Sequence, residues 1–531
     1  MHEQTMSETE VVHTAESSAA VAPAEVSARR LVSTYSQVFI AYLLVMFVLW
    51  AVGIEGVYGS PMPFYALVFP VFTEAMAWHL APLGVLAAAL AALAIFWKRV
   101  NWDSGGPSAR ATAWFVFAVV VFSFVFAGAV AMLRGGIDGI SHAYQRQAYE
   151  YISDIGRTSG IRALFHDYAK VRPYLSMHAK VHPPGPIAVL WLMSYVVGQG
   201  PLALSLATMA LGALGIVPLY LWSASVAGKR AGLTCCMLYS VMPTVVMFIA
   251  TSADILFMPF TLWTLYLFWR ALDTKPLAYG LAAGVAYGLC SLLSFSLLGL
   301  GAFFAFAGLW RMTHGRTPTV TAPCLGRPPA VVGGVPLLDW LRNLLRKKRG
   351  HPPQLPGGVP DGRVEVILTA AAMIAGFLAL HGAVRWWSGF DMIACFRDCK
   401  AQFDIDQAHL DDLTPRYPGW TWRLANPAAW FYFAGIPASV MALWRFARPE
   451  KQTRGLFLVF ALTLVALTSL YLGRGEGERS AMYIMPFIAV PAAHLLDKLS
   501  GEGRRLAPIA ATLGFMAFQC WFTESVFYTF W

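Results

Sequence analysis

Apolar runs of about 20 residues recur from one end of this 531-residue chain to the other, and each is long enough to cross a hydrocarbon core of roughly 30 Å. Inside lipid no water satisfies a backbone N–H or C=O. Such a run must therefore close its hydrogen bonds within itself, as an α-helix. That constraint predicts an all-α, polytopic transmembrane bundle of about 12–13 helices. Composition excludes the soluble alternative. Hydrophobic residues make up 57% of the chain and charged ones 13%, against about 25% charged in soluble domains. The excess of 39 Lys+Arg over 29 Asp+Glu sits in short loops between the runs. It points to membrane lipids and the positive-inside rule, and no nucleic acid partner is expected.

Helix candidates fall near 35–57, 74–97, 111–133, 231–250, 253–272, 277–295, 297–311, 365–388, 428–446, 456–473, 480–497 and 506–525. The basic loops "WKRVNW", "GKRAG", "RALDTK", "WRFARPEKQTR" and "DKLSGEGRR" mark a cytoplasmic side, with the N-terminus inside and the C-terminus outside. Residues 185–226 must cross an odd number of times, yet Gly198-Gln199-Gly200-Pro201 splits them. Pattern alone leaves open whether one half is re-entrant.

The resulting layout begins with residues 1–34, polar and without an apolar core, read as a disordered cytoplasmic tail rather than a signal peptide. A membrane region spans 35–311 and carries an extracytoplasmic loop at 134–184. A basic, Pro/Gly-rich cytoplasmic loop covers 312–364, and a second membrane region covers 365–531 with an extracytoplasmic loop at 389–427. Within 312–364, Leu337, Leu338, Leu341, Leu344 and Leu345 share one helical face, with Arg342, Arg346 and Lys347 on the other. A basic helix lying on an anionic membrane surface and a plain linker fit equally.

Polar chemistry gathers in the outer loops. Residues 143–155, "AYQRQAYEYISDI", and 161–171, "IRALFHDYAKV", have helical apolar spacing but are too short to span, which predicts two interfacial helices. On the first, Glu150 and Asp154 stand four apart on the polar side. A carboxylate there can serve as a general base toward a hydroxyl acceptor. Equally, Glu150 can pair with Arg146 or Arg157 while Asp154 caps a turn. Further on comes "HAKVHPPGP", with His178 and His182 four apart. Pro183 and Pro184 disfavour helix at Val181 and His182, and Pro186 suits the first turn of the next helix. His182 is thereby held at the mouth of the bundle, where it can bind phosphate, orient a carboxylate, shuttle a proton or simply reach water.

Two other features bear on this side. The turn "GRGEGER" at 473–479 places Arg474 and Arg479 outside, against the positive-inside trend; they can fork phosphate oxygens or pair with Glu476 and Glu478. Asp254 lies near a membrane boundary, with a structural ion pair as the default reading. Of seven cysteines, Cys395 and Cys399 are four apart and can be a disulfide or free thiols. No cysteine spacing suits a metal.

The series "EYISDI", "FHDY", "LSMHAKVHPPGP" and the late "GEGERSAMYIMPF" resembles the polytopic glycosyltransferases of the GT-C superfamily, which include protein mannosyltransferases and lipid A aminoarabinose transferases. It looks most like a bacterial branch of that superfamily. The resemblance covers roughly residues 110–310 and 365–500. It implies a hexosyl or pentosyl donor carried on polyprenyl phosphate, a lipid, glycan or protein acceptor, and an extracytoplasmic site in the inner cell membrane. It also implies an acidic residue of the first loop as base: Asp154 first, then Glu150, then Asp138 in "IDG". His178, His182, Arg474, Glu476, Glu478 and Arg479 are the expected substrate-binding residues. No cofactor is expected, and metal dependence is left open. A lipid-linked sugar flippase or transporter would show internal repeats and mid-membrane charges, and no clear repeat is present. A glycan polymerase or ligase would favour a basic outer loop. The 389–427 loop instead carries Asp391, Asp398, Asp404, Asp406, Asp411 and Asp412.

Overall fold

The computed structural model describes residues 27–51, 79–100, 102, 106–146, 149–249, 252–314, 362–413, 419–469, 482–501 and 503–526. Among them every regular element is helical. Eight stretches are long and apolar enough to cross a membrane: Ala81–Arg99, Ala109–Leu133, Pro201–Ala227, Ala253–Asp273, Pro276–Leu293, Phe295–His314, Gly362–Ser388 and Leu506–Val526. The all-α bundle read from the sequence is therefore what forms. The first helix, Ala28–Ala51, starts inside the segment assigned to a tail; residues 1–26 and most of 312–364, including the proposed surface helix, lie outside the described residues.

Two predicted helices are broken. The run near 231–250 stops at Ser240 and restarts at Pro243, because proline cannot donate to the preceding turn but suits a helix start. The run near 428–446 divides into Gly419–Phe433 and Ile436–Ala447 around Gly435, whose φ of +91° favours glycine. The 389–427 loop is also more ordered than expected, since it holds a polar helix, Met392–Leu413.

The basic loops meet at one end of the bundle. Trp97 Nε1 donates to the Gly503 carbonyl at 2.6 Å, Arg230 lies 3.6 Å from Asp497, and Arg311 pairs with Asp273. Arg445 and Lys498 converge on Glu450. The outer-loop candidates gather at the opposite end, where His166 Nδ1 is 2.9 Å from the Ser388 carbonyl and Phe165 packs edge-on against Phe390. We call these the basic end and the loop end.

The split at 198–201 has a simple resolution. Gly185–Val197 has 13 residues, about 20 Å of helix, too short to span. Pro201–Leu214 and Ile216–Ala227 instead run on as one apolar stretch. Its early part reaches the loop end, where Thr208 meets Tyr144; Lys229, just past its far end, donates to the Pro107 carbonyl at the basic end. This stretch is long and apolar enough to cross once.

Packing between Pro276–Leu293 and Gly362–Ser388 depends on glycine. A Cβ at Gly284 would collide with the Met373 carbonyl, and one at Gly376 with the Leu281 carbonyl. Gly280 sits equally close to Ala372 and Thr369. Small residues let backbones approach where lipid supplies no hydrophobic drive between helices. Ser291 Oγ and His381 Nε2, 3.0 Å apart, add a polar link across this seam.

Candidate active site

The long helix Ala109–Gly135 ends at Gly136 (φ +59°), and Ile137–Gln145 turns away as a separate short helix. Tyr144, near its end, shares a 2.8 Å hydrogen bond with Thr208. The expected helix over 143–155 does not continue. Glu150 is extended, and Tyr151–Asp154 forms a single 3-10 turn. Ser153 explains part of this, since its hydroxyl donates to the Glu150 carbonyl at 3.1 Å and competes with regular helix. Glu150 and Asp154 are thus not neighbours on one polar face.

Asp154 is fully buried. Its two oxygens accept from the Ser176 amide at 3.1 and 3.0 Å, and Oδ1 lies 2.9 Å from Arg157 Nε. Burial raises its pKa, and the Ser176 and Arg157 interactions draw it back only in part. The carboxylate thereby ties the 3-10 turn to the start of the Met177–Val181 helix.

Glu150 is placed differently. It is 2% exposed, and Oε1 lies 3.3 Å from Nδ1 of His178, which is 13% exposed. The Tyr151 ring lies about equally far from His178 and His182, with centroids at 6.2 and 6.0 Å. Burial pushes the Tyr144 hydroxyl well above its ordinary range and the Thr208 bond lowers it. The negative charges of Glu150 and Asp254 raise it further. The structure therefore brings Glu150 and His178 together beside Tyr151, and packs the turn that carries Asp254 and the helix that carries Tyr144 against the same Pro201–Leu214 helix. Asp138 is apart, exposed in the first turn of Ile137–Gln145 at the end away from Tyr144.

The prolines act as the sequence predicts, with one correction: Val181 remains helical and only His182 is extended, at φ −114° and ψ 158°. Pro186 stands in the first turn of the next helix. Gly185 is required for another reason, because a Cβ there would run into the Leu292 carbonyl. The His182 carbonyl accepts from the Tyr168 hydroxyl and from Cys399 Sγ at 3.5 Å; Tyr168 also donates to the Ala179 carbonyl at 2.7 Å. The His182 ring lies 6.1 Å from that of Phe257. Cys395 and Cys399 are free thiols with their sulfurs 3.9 Å apart.

Arg474, Glu476, Glu478 and Arg479 lie outside the described residues. Among the described residues no three His, Cys, Asp or Glu side chains converge as metal ligands would.

Residues 181–323 match the family model of dolichyl-phosphate-mannose-protein mannosyltransferases. Over this stretch the chain is similar to that family. The match supports a membrane glycosyltransferase and, with it, a lipid-linked sugar donor. It opens one residue before His182 and includes Asp254, whereas Glu150, Asp154 and His178 precede it. No curated protein matches the sequence. The facing of Glu150 to His178 had no counterpart in the sequence reading. The residues come from separate elements, and no spacing encodes their meeting.

Proposed function

We propose that this protein transfers a sugar from a polyprenyl-phosphate donor to a hydroxyl acceptor on the extracytoplasmic side of the inner membrane. In this reading the loop end faces out and the Glu150–His178 pair is the general base. The observation that carries it is the buried carboxylate 3.3 Å from a less buried imidazole, beside the segment that matches a sugar-transferring family. Glu150 orients His178 through Nδ1, which leaves Nε2 directed away from the carboxylate. The imidazole takes the acceptor proton as the acceptor oxygen attacks the anomeric carbon. The bond from that carbon to the phosphate oxygen breaks, and polyprenyl phosphate leaves with the electron pair.

Asp154 has a positioning role here, holding the 3-10 turn that carries Glu150. His182, with Arg474 and Arg479 from the later turn, receives the donor phosphate. Donors already aimed at that group stabilise the charge it gains. The test is turnover of a radiolabelled polyprenyl-phosphate hexose or pentose in membrane vesicles containing native acceptors. Glu150→Gln and His178→Gln are each expected to lower the rate on the order of 10²–10⁴-fold. Normal turnover in a well-folded Glu150→Gln protein would overturn the assignment.

A further inference from the structure

We propose that the cavity at the basic end, between the Ile436–Ala447 and Arg454–Ser469 helices, binds the phosphate of an anionic phospholipid. It encloses about 490 Å³, and its lining combines Arg448 and Arg454 with Phe446, Leu458 and Ala461. Two arginines on the lining of one cavity call for an anion. The nearby acid, Glu450, is held by Arg445 at 2.6 Å and by Lys498. Among the described residues neither Arg448 nor Arg454 takes part in an ion pair.

Arg448 is also pre-positioned. Its guanidinium lies 4.3 Å from the centroid of the Trp444 ring, a cation–π contact that limits its swing. Arg454 opens a 16-residue helix, whose first backbone N–H groups lack intrahelical partners and favour negative charge. Two side chains and one helix start thus contribute to the same space.

The apolar surroundings select a lipid over a free anion. Leu443, Trp444 and Leu458 are 48, 49 and 56% exposed beside the cavity. A tryptophan at a helix end is placed as in a membrane-interface belt, and the acyl chains of a bound lipid would cover the leucines. Basic pockets between membrane helices recognise anionic headgroups in this manner. A zwitterionic headgroup carries its own cation and gains less.

The test is native mass spectrometry of the full chain in detergent, titrated in parallel with phosphatidylglycerol and phosphatidylcholine. At roughly fivefold per arginine, wild type is expected to prefer phosphatidylglycerol on the order of 25-fold. Arg448→Gln/Arg454→Gln should lose that preference while keeping its thermal midpoint in phosphatidylcholine. Equal binding of the two lipids by wild type, or an unchanged preference in the double variant, would overturn the proposal. Displacement of the lipid by equimolar inorganic phosphate would overturn it too, by showing that the acyl chains contribute nothing. If the double variant fails to fold, the wild-type lipid comparison and the competition with phosphate still decide the matter.

Discussion

Asp154 gives the sharpest test of how roles divide between two buried carboxylates. Replacing it with asparagine keeps an oxygen for the Ser176 amide and removes only the ion pair with Arg157. That pair is weak, because the arginine is 43% exposed, so its loss is expected to cost at most about 1 kcal/mol. Asparagine also removes the burial penalty that raises the pKa of Asp154. Alanine is harsher, since it leaves the Ser176 N–H without its acceptor, at about 1–3 kcal/mol. With the ion pair, the total is about 1–4 kcal/mol. The expected order in limited proteolysis of the 149–184 segment is therefore wild type close to Asp154→Asn, and both more resistant than Asp154→Ala. Transfer by the asparagine variant should stay within a few-fold of wild type. A loss on the order of 10²-fold or more in Asp154→Asn, with unchanged proteolytic resistance, would make Asp154 the base and defeat the division argued above. The pH response has a definite sign. A raised carboxyl pKa stabilises the fold below the ordinary carboxylate range, and this contribution is lost as pH rises through the raised value. Asp154→Asn should flatten that limb.

Other expectations follow from single contacts. Gly185→Ala should abolish transfer without changing any charge, because its Cβ meets the Leu292 carbonyl; normal activity would show that the backbone can move aside. Tyr168→Phe removes the donor shared by the Ala179 and His182 carbonyls, at a cost of about 1–3 kcal/mol, read as faster cleavage near residue 182. At the basic end, burial pushes the Glu450 carboxyl up, but hydrogen bonds and charge from Lys498 and Arg445 outweigh it and hold the group below its usual range. Its stabilisation is present above the ordinary carboxylate pKa and is lost as pH falls through the lowered value. An acid titration of thermal midpoint should lose that limb in Glu450→Gln.

What the sequence disclosed followed from the solvent. Runs such as Gly362–Ser388 must be helical in lipid whatever their neighbours, so the bundle was legible. The breaks at Pro243 and Gly435 carry their own marks, yet whether a span bends or stops there depends on packing. The glycines at 280, 284 and 288 drew no reading from the sequence, because only the partner helix explains their use. The loop was harder to read. Periodicity over 143–155 suggested one interfacial helix because Tyr144, Ala148, Tyr151, Ile152 and Ile155 fall at helical spacing; Asp154 instead turns inward to Ser176, a contact 22 positions away. Side-chain bonds to distant backbone leave no periodic trace, and that is why the sequence put Asp154 ahead of Glu150 as the base.

The bond from Cys399 to the His182 carbonyl joins residues 217 positions apart. At a synthesis rate of about 5–20 residues per second, the ribosome needs roughly 10–45 s to reach the second after making the first. During that interval the proline turn has reached the membrane, but the Met392–Leu413 helix that packs over it does not yet exist. Each new copy of the protein therefore passes through a period in which the groups of this turn stand uncovered, and the turn is completed only once the second half of the chain arrives.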